Sequence, residues 1–194
     1  FGVQVEQRLG AGTLYADLGQ RDKTLDGFNG SAFGDTTRHQ DLNETTGSLR
    51  YHLPVAQRHA LIVGVDMRNS NLDATNTYSF TPISDRWRAK QRQHGLFAEA
   101  QVQATDTTRI TLGGRRQYAN DTLETLSGFS GNSDKTRHLG AWQLALRQEV
   151  GAGFAAYGKV GRSFRLANSD ELLYVADPLK PQTSTDKELG LLWQ

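Results

Sequence analysis

The residues most able to do chemistry in this chain are five histidines, a small acidic cluster and one serine. A haem or metal role for His39, His52, His59, His94 or His138 requires one of them paired with a second ligand. The plain alternative is exposed or rim histidines. Asp170, Glu171 and Asp177 resemble a calcium cluster in type, but they lack the 1-3-5 spacing of oxygen donors. Ser163 sits in no G-x-S-x-G turn, so a hydrolase triad has no positional logic. With no cysteine there is neither a disulfide framework nor a thiolate metal site. No metal site, no cofactor and no enzymatic activity are expected. The chemistry left is recognition, and that depends on what positions the polar side chains.

The 194 residues are only 37% hydrophobic, with a mean hydropathy of −0.58. Charged residues are 22% and nearly balanced, for a formal net charge of +1. That balance argues against a polyanion-binding surface, whether the polyanion is nucleic acid or an acidic lipid leaflet. The purest apolar run, Ala60 to Val65, is far short of the ~20 residues of a spanning helix. A membrane protein of this composition is a β-barrel. Phe1 opens directly into an alternating segment, so the chain is expected to be a piece of a longer protein.

Alternation recurs along the chain. Val3, Val5 and Leu9 precede a tight turn at Gly10-Ala11-Gly12, and Leu14, Ala16 and Leu18 return. Leu49, Tyr51 and Leu53 lead to a turn at Pro54–Arg58, followed by the cleanest strand, with Leu61, Val63, Val65 and Met67 on one side. Leu96 to Val102 turns at Thr105–Thr108 and returns through Ile110 and Leu112. Trp142, Leu144 and Leu146 lead to the turn Gly151-Ala152-Gly153. Two last strands follow, from Phe154 towards Phe164 and from about Thr183 to Trp193. Polar segments 26–37, 69–85, 120–135 and 166–181 read as long loops, with a short helical turn expected at Asp170 to Val175.

This pattern predicts an all-β, antiparallel up-and-down barrel, with about nine strands in which short turns and long loops alternate. Each hairpin repeat spans about 45 residues, which suits strands of ~10 residues running on into tall loops. A propeller blade has four short strands in that period, so that architecture fails. Arg50, His52, Asp66, Glu99, Arg115 and Arg147 share the non-apolar face. A soluble barrel would not place so many charges in its core. The charged face is therefore predicted to be a wet lumen and the apolar face to meet lipid, with Trp142 and Trp193 in the interfacial aromatic girdle.

Two stretches, His94 to Tyr118 and the closing stretch from Phe154 to Trp193, resemble TonB-dependent outer-membrane receptors. His94 to Tyr118 follows G-x-[FY]-x-[QE], a turn, then L-x-L-G-x-R-Y, through Gly95, Phe97, Glu99, Leu112, Gly113 and Arg115. Tyr157, Arg162, Ser163, Phe164 and Arg165 match Y-x-x-x-x-R-S-F-R. Leu179, Lys180, Pro181, Thr183, Ser184, Glu188, Leu189 and Gly190 match L-K-P-E-T-S-x-x-x-E-L-G, with Gln182 at the usual Glu. The resemblance covers roughly residues 58 to 194.

It implies a bacterial outer-membrane receptor of about 22 strands, filled by a plug domain of the same chain and energised by the TonB complex. Its cargo would be a small-molecule chelate, most readily a ferric siderophore. Cobalamin, haem or carbohydrate, or a structural or adhesive barrel, remain the alternatives. Haem receptors of the family carry a histidine in the span matching Phe164–Leu179, which here holds none. Residues 1–194 read as part of one barrel domain, without plug or TonB box. Nine strands leave two unpaired edges that lipid would not tolerate.

Loop aromatics Tyr78, Phe80, Trp87, Phe129 and Tyr174 are the ligand-binding candidates, since rings suit the hydrophobic shell of a chelate. Arg50, Arg115, Arg147 and Lys159 either attract an anionic chelate or pair with Asp66, Glu99 and Glu188 or with the plug.

Overall fold

The structure is a computed structural model describing residues 1–32, 34–56, 58–128, 131–168, 171 and 179–193. Alternation and glycine-marked turns become nine strands: β1 (Gly2–Leu9), β2 (Gly12–Asn29), β3 (Thr36–Val55), β4 (His59–Tyr78), β5 (Thr81–Gln103), β6 (Thr108–Ser127), β7 (Ser133–Gly151), β8 (Phe154–Arg165) and β9 (Gln182–Trp193). Each pairs antiparallel with its sequence neighbours in a single sheet, and β1 and β9 remain edges. The turns at 10–11, 56–58, 104–107 and 152–153 share one end, as this topology requires. Positive φ at Gly10, and at Ala152 between Gly151 and Gly153, makes two of those reversals tight.

The other end differs from the expectation. Segments 26–37, 69–85 and 120–135 are largely strand, and the connections shrink to 30–35, 79–80 and 128–132. Short and long connections therefore do not alternate strictly, because β4 passes to β5 through two residues. Tyr78 ends β4 and Trp87 lies well inside β5, so neither is a loop residue. At 23 residues β5 is about twice the 9–11 residues that cross a bilayer. Its upper half stands clear as a hairpin wall. Of the helical turn expected at 170–175, all but Glu171 lies outside the described residues.

The register explains why polar segments make strands. On β4 the apolar positions Leu61, Val63, Val65 and Met67 share one face, and Ser70, Leu72 and Ala74 lie on the other. The apolar phase thus inverts between Met67 and Leu72. The same inversion separates Leu96 from Ala89 on β5, Leu112 from Ala119 on β6, and Leu49 from Leu42 on β3. Below the inversion apolar side chains point outward. Above it they point inward, and Asn69, Asn71, Asp73 and Thr75 face outward.

The inward apolar side chains make the only compact core among the described residues: Leu72, Ala74, Trp87, Ala89 and Leu123, with Leu42 against it. Leu42, Leu72, Ala89 and Leu123 are direct cross-strand neighbours in one row, the unit by which sheets are stabilised. Just past β8, Asn168 meets the same face, sharing a groove with Arg21 of β2 and Leu72 of β4. This face is the inside of a curved sheet.

Candidate functional site on the inner face

Below the apolar core, the inward positions of β4 to β7 are polar and bonded to one another. Asp66 on β4 receives a two-pronged contact from Arg115 on β6, at 2.6 Å from Nη1 and 2.7 Å from Nη2. Arg115 Nε donates at 3.0 Å to Gln117 Oε1, Gln117 Nε2 donates at 3.2 Å to Gln93, and Gln93 Nε2 donates at 2.7 Å to Gln91. Gln91, only 2% exposed, donates at 2.8 Å both to Asp121 and to the backbone carbonyl of Ala167. Asp121 is ion-paired with Arg137 of β7, which donates at 2.8 Å to the carbonyl of Leu179. An unbroken polar ladder therefore runs from mid-sheet to both described ends of the β8–β9 connection.

Local structure makes this ladder possible. Residues two apart on a strand share a face, so Gln91 with Gln93, and Arg115 with Gln117, stack along their own strands. Gly95 lies beneath the Arg115–Asp66 pair, where a Cβ would fall 2.7 Å from Arg115 Cζ and 2.8 Å from Asp66 Oδ1. The glycine of the G-x-F-x-E motif is thus the space the ion pair occupies. Phe97 covers Gly64 on β4 in the same way, with the Arg115 guanidinium 6.0 Å from its ring centre.

All seven lumen candidates fall on this inner face, in the register rows of Gly64, Phe97 and Arg115 and their neighbours. They do not form one cluster. Arg115 and Asp66 pair as anticipated. Glu99 instead accepts from Gln101 and Gln143, each at 2.9 Å. Arg147 pairs with Glu149 at 2.9 Å, and Arg50 stacks on Tyr15 at 4.9 Å. Lys159 stands opposite Glu188 in the register, while Glu188 accepts from the Tyr157 hydroxyl at 2.8 Å.

Among the described aromatic candidates, Tyr78 and Phe80 come together, with ring centres 5.4 Å apart at the β4–β5 tip. The Tyr78 hydroxyl donates to Asp85 at 2.5 Å, which raises its pKa above the ordinary 10.0. Phe80 is exposed beside it. Trp87 is 7% exposed within the apolar core and is a packing residue here. Phe129 and Tyr174 lie outside the described residues, as do Asp170 and Asp177. Glu171 is held by Arg165 at 2.6 Å and by the Asn168 N–H at 2.9 Å, and both bonds lower its pKa.

His94 and His138 flank Tyr118 on the outer face, with ring centres 6.2 and 5.5 Å away. His39 bridges Asp26 at 2.6 Å and Asp41 at 3.0 Å. Gln91, Gln93, Asp121 and Arg137 were not among the residues the sequence singles out. Their signal is the inverted phase, which turns them inward once 86–92 and 119–124 are read as strand.

The family profile described as "TonB dependent receptor-like, beta-barrel" matches residues 1–194. No curated protein matches the sequence. Among solved structures, the ferric yersiniabactin uptake receptor FyuA of Yersinia pestis superposes with a TM-score of 0.78 at 15% identity, covering 100% of this chain and 32% of that one. The siderophore receptor PiuA of Acinetobacter baumannii gives 0.79 at 11% identity, over 99% of this chain and 37% of that one. The copper transporter OprC gives 0.77 at 15% identity, over 100% and 35%. The chain therefore spans about a third of the length of each of these relatives in fold. A whole-length profile match, nine meandering strands and an inverted apolar phase agree on one conclusion: this chain belongs to the TonB-dependent receptors of the outer membrane, as part of their β-barrel.

Proposed function

We propose that the receptor containing this chain imports a ferric siderophore across the outer membrane, using energy delivered by the TonB complex to a plug domain seated against the inner face. The observation that carries this reading is the polar ladder. Seven side chains from Asp66 to Arg137 connect the β8–β9 connection to the barrel wall in unbroken hydrogen-bond contact. Four of its links are neutral glutamine amides or bonds to them. Such a wall offers a hydrated solute hydrogen bonds without a deep electrostatic trap, so a bulky polar chelate can pass. The charged members are already paired and cost little to leave behind.

The β8–β9 connection is tied to that wall at Ala167 and Leu179, which makes it the segment through which cargo and wall would communicate. Tyr78 and Phe80 at the hairpin tip present a ring pair to the apolar shell of an arriving chelate. The structural neighbours whose names specify siderophore uptake support this cargo class over cobalamin, haem or sugar.

The test uses the full-length receptor in cells lacking other iron receptors, with radioactive iron supplied as hydroxamate, catecholate and carboxylate siderophores. Uptake of at least one, lost when TonB is deleted, is the expected result. Uptake of none, with growth on cobalamin, haem or sugar restored instead, would overturn the cargo; no TonB-dependent uptake of anything would overturn transport.

A further inference from the structure

Above the phase inversion, where the outer face leaves the hydrocarbon, β2, β3 and β4 carry opposite charge on their two faces. From the row of Gly19, Thr46 and Arg68 upward, the inward positions include Arg21, Lys23, Arg38 and Arg68. Glu44 is the one carboxylate among them. The outward positions over the same rows hold Asp22, Asp26, Asp41 and Asp73, with His39 the one group able to carry positive charge. The near-neutral net charge of the whole chain, +1, conceals this segregation.

The inner cations are not discharged by their neighbours. Glu44 is 8% exposed; it accepts from Arg68 Nε at 2.7 Å and faces Arg21 Nη2 at 3.4 Å. One carboxylate between two guanidinium groups leaves net positive charge, and the Arg21 side chain is 59% exposed and open to a further anion. Gln40, with its amide oxygen turned to Arg38 at 3.1 Å, is a neutral partner. Lys23 is exposed and has no carboxylate partner among the described residues. The nearby inward acids are taken: Asp66 by Arg115, and Asp121 by Arg137.

Arg21, Lys23 and Arg68 border a groove of about 260 Å³ that Leu25, Leu42 and Leu72 also line. Leu42 and Leu72 stand in the register row of Lys23, and Leu25 lies one inward row above it. Arg21 and Arg68 lie in the two inward rows below. The groove is thus cationic at its deep end and apolar towards the end away from the short turns, the external end of an outer-membrane barrel. It falls below the roughly 300–1,000 Å³ of pockets that enclose a drug-sized ligand, so it admits one arm of a chelate rather than the whole.

We infer that this groove binds one anionic arm of the arriving chelate, an arm with carboxylate or catecholate oxygens on an apolar body. The inference rests on the chelate-import reading above and narrows its cargo to chelates bearing such an arm. Arg21 and Arg68 offer planar forks to the anionic oxygens, Lys23 a point charge, and the leucines receive the body. Outward acids at the same height repel the same anion, so the field of this wall directs it to the inner face. The groove lies on β2 to β4, beside the polar ladder of β4 to β7, and captures what the ladder then passes.

The test titrates the purified full-length receptor in nonionic detergent with salicylate, an aryl carboxylate the size of one arm, and with its uncharged amide, salicylamide. Saturation-transfer NMR reads both. Salicylate should bind roughly tenfold more tightly than the amide, and about 0.5 M sodium chloride should weaken it. Lys23→Gln and Arg21→Gln should each weaken salicylate roughly fivefold. Glu44→Gln, which removes the competing carboxylate, should tighten it by about as much. Lys90→Gln, at the same height on the outer face, should leave it unchanged. Heat-modifiable migration on gels confirms that each variant is folded, and the exposed lysine variant suffices if an arginine variant fails to fold. Equal binding of acid and amide, or wild-type binding by both Lys23→Gln and Arg21→Gln, would overturn the assignment. So would an absence of salicylate binding to the folded receptor, the result if the plug covers the groove. Siderophore uptake without salicylate binding removes this site alone, whereas salicylate binding without chelate uptake keeps the site and removes the cargo.

Discussion

Replacing Gly95 with alanine should destabilise the barrel through a side chain on another strand. The new Cβ would lie 2.7 Å from Arg115 Cζ and 2.8 Å from Asp66 Oδ1, so the ion pair must open. The guanidinium is the far end of a flexible chain, so the backbone need not move and the cost is the pair itself. Its side chains are 31% and 28% exposed, between a surface pair and a buried one. Surface pairs contribute about 0–1 kcal/mol and breaking a buried pair costs about 3–5 kcal/mol, which brackets this one near 2 kcal/mol. Against that, alanine in a strand gains roughly 0.5–1 kcal/mol over glycine. The net cost is about 1–1.5 kcal/mol. With Arg115→Ala already present there is no guanidinium to displace, and Gly95→Ala should become neutral or stabilising by roughly 0.5–1 kcal/mol. Guanidinium-induced unfolding of the full-length receptor in detergent, for both single variants and the double, measures the coupling. Equal cost of Gly95→Ala in both backgrounds would refute the argument.

Val63→Arg and Leu144→Arg place a charge on the apolar outer face and should each lower stability by about 2–4 kcal/mol, the midplane cost for a barrel. Glu99→Gln should cost less, since its amide partners Gln101 and Gln143 remain; unfolding midpoints compare them. His39 lies above the membrane boundary between Asp26 and Asp41, which raise its pKa above the ordinary 6.5. Its contribution to the β2–β3 hairpin is complete below 6.5 and fades as pH rises through the raised value. Histidine-labelled NMR should show a midpoint above 6.5, and a midpoint at or below it would contradict the geometry. Gln91→Leu removes the bonds to Asp121 and Ala167, and should slow siderophore uptake severalfold while surface binding persists; unchanged uptake would remove the ladder from the proposed transport route.

The transmembrane halves of the strands were legible because lipid and a wet interior demand opposite residue types at alternate positions. Leu61 to Arg68 shows that plainly. Above the boundary the outer face meets water, so Asn69, Asn71 and Asp73 erase the signal that marks a strand, although the backbone ladder continues unbroken to Tyr78. What remains is the shifted pair Leu72 and Ala74, too short a run to read without its neighbours. Trp87 was mistaken for a loop aromatic for the same reason: its apolar partners Ala74 and Leu123 are on other strands. The motif residues Gly95, Phe97 and Arg115 were visible by resemblance, but their function as a glycine beneath an ion pair is a cross-strand fact. Pairings such as Arg147 with Glu149 and Glu99 with Gln143 depend on rotamers that spacing does not encode.

The central claim is that one face of this sheet meets lipid and the other encloses a polar interior. A photoactivatable phospholipid in liposomes holding the full-length receptor tests it, with single substitutions Val63→Cys, Leu144→Cys, Glu99→Cys and Arg115→Cys. Val63 and Leu144 are outward in the register, and Glu99 and Arg115 inward. Crosslinking confined to positions 63 and 144 is the predicted result. Crosslinking at 99 and 115 instead would reverse the faces and contradict the account.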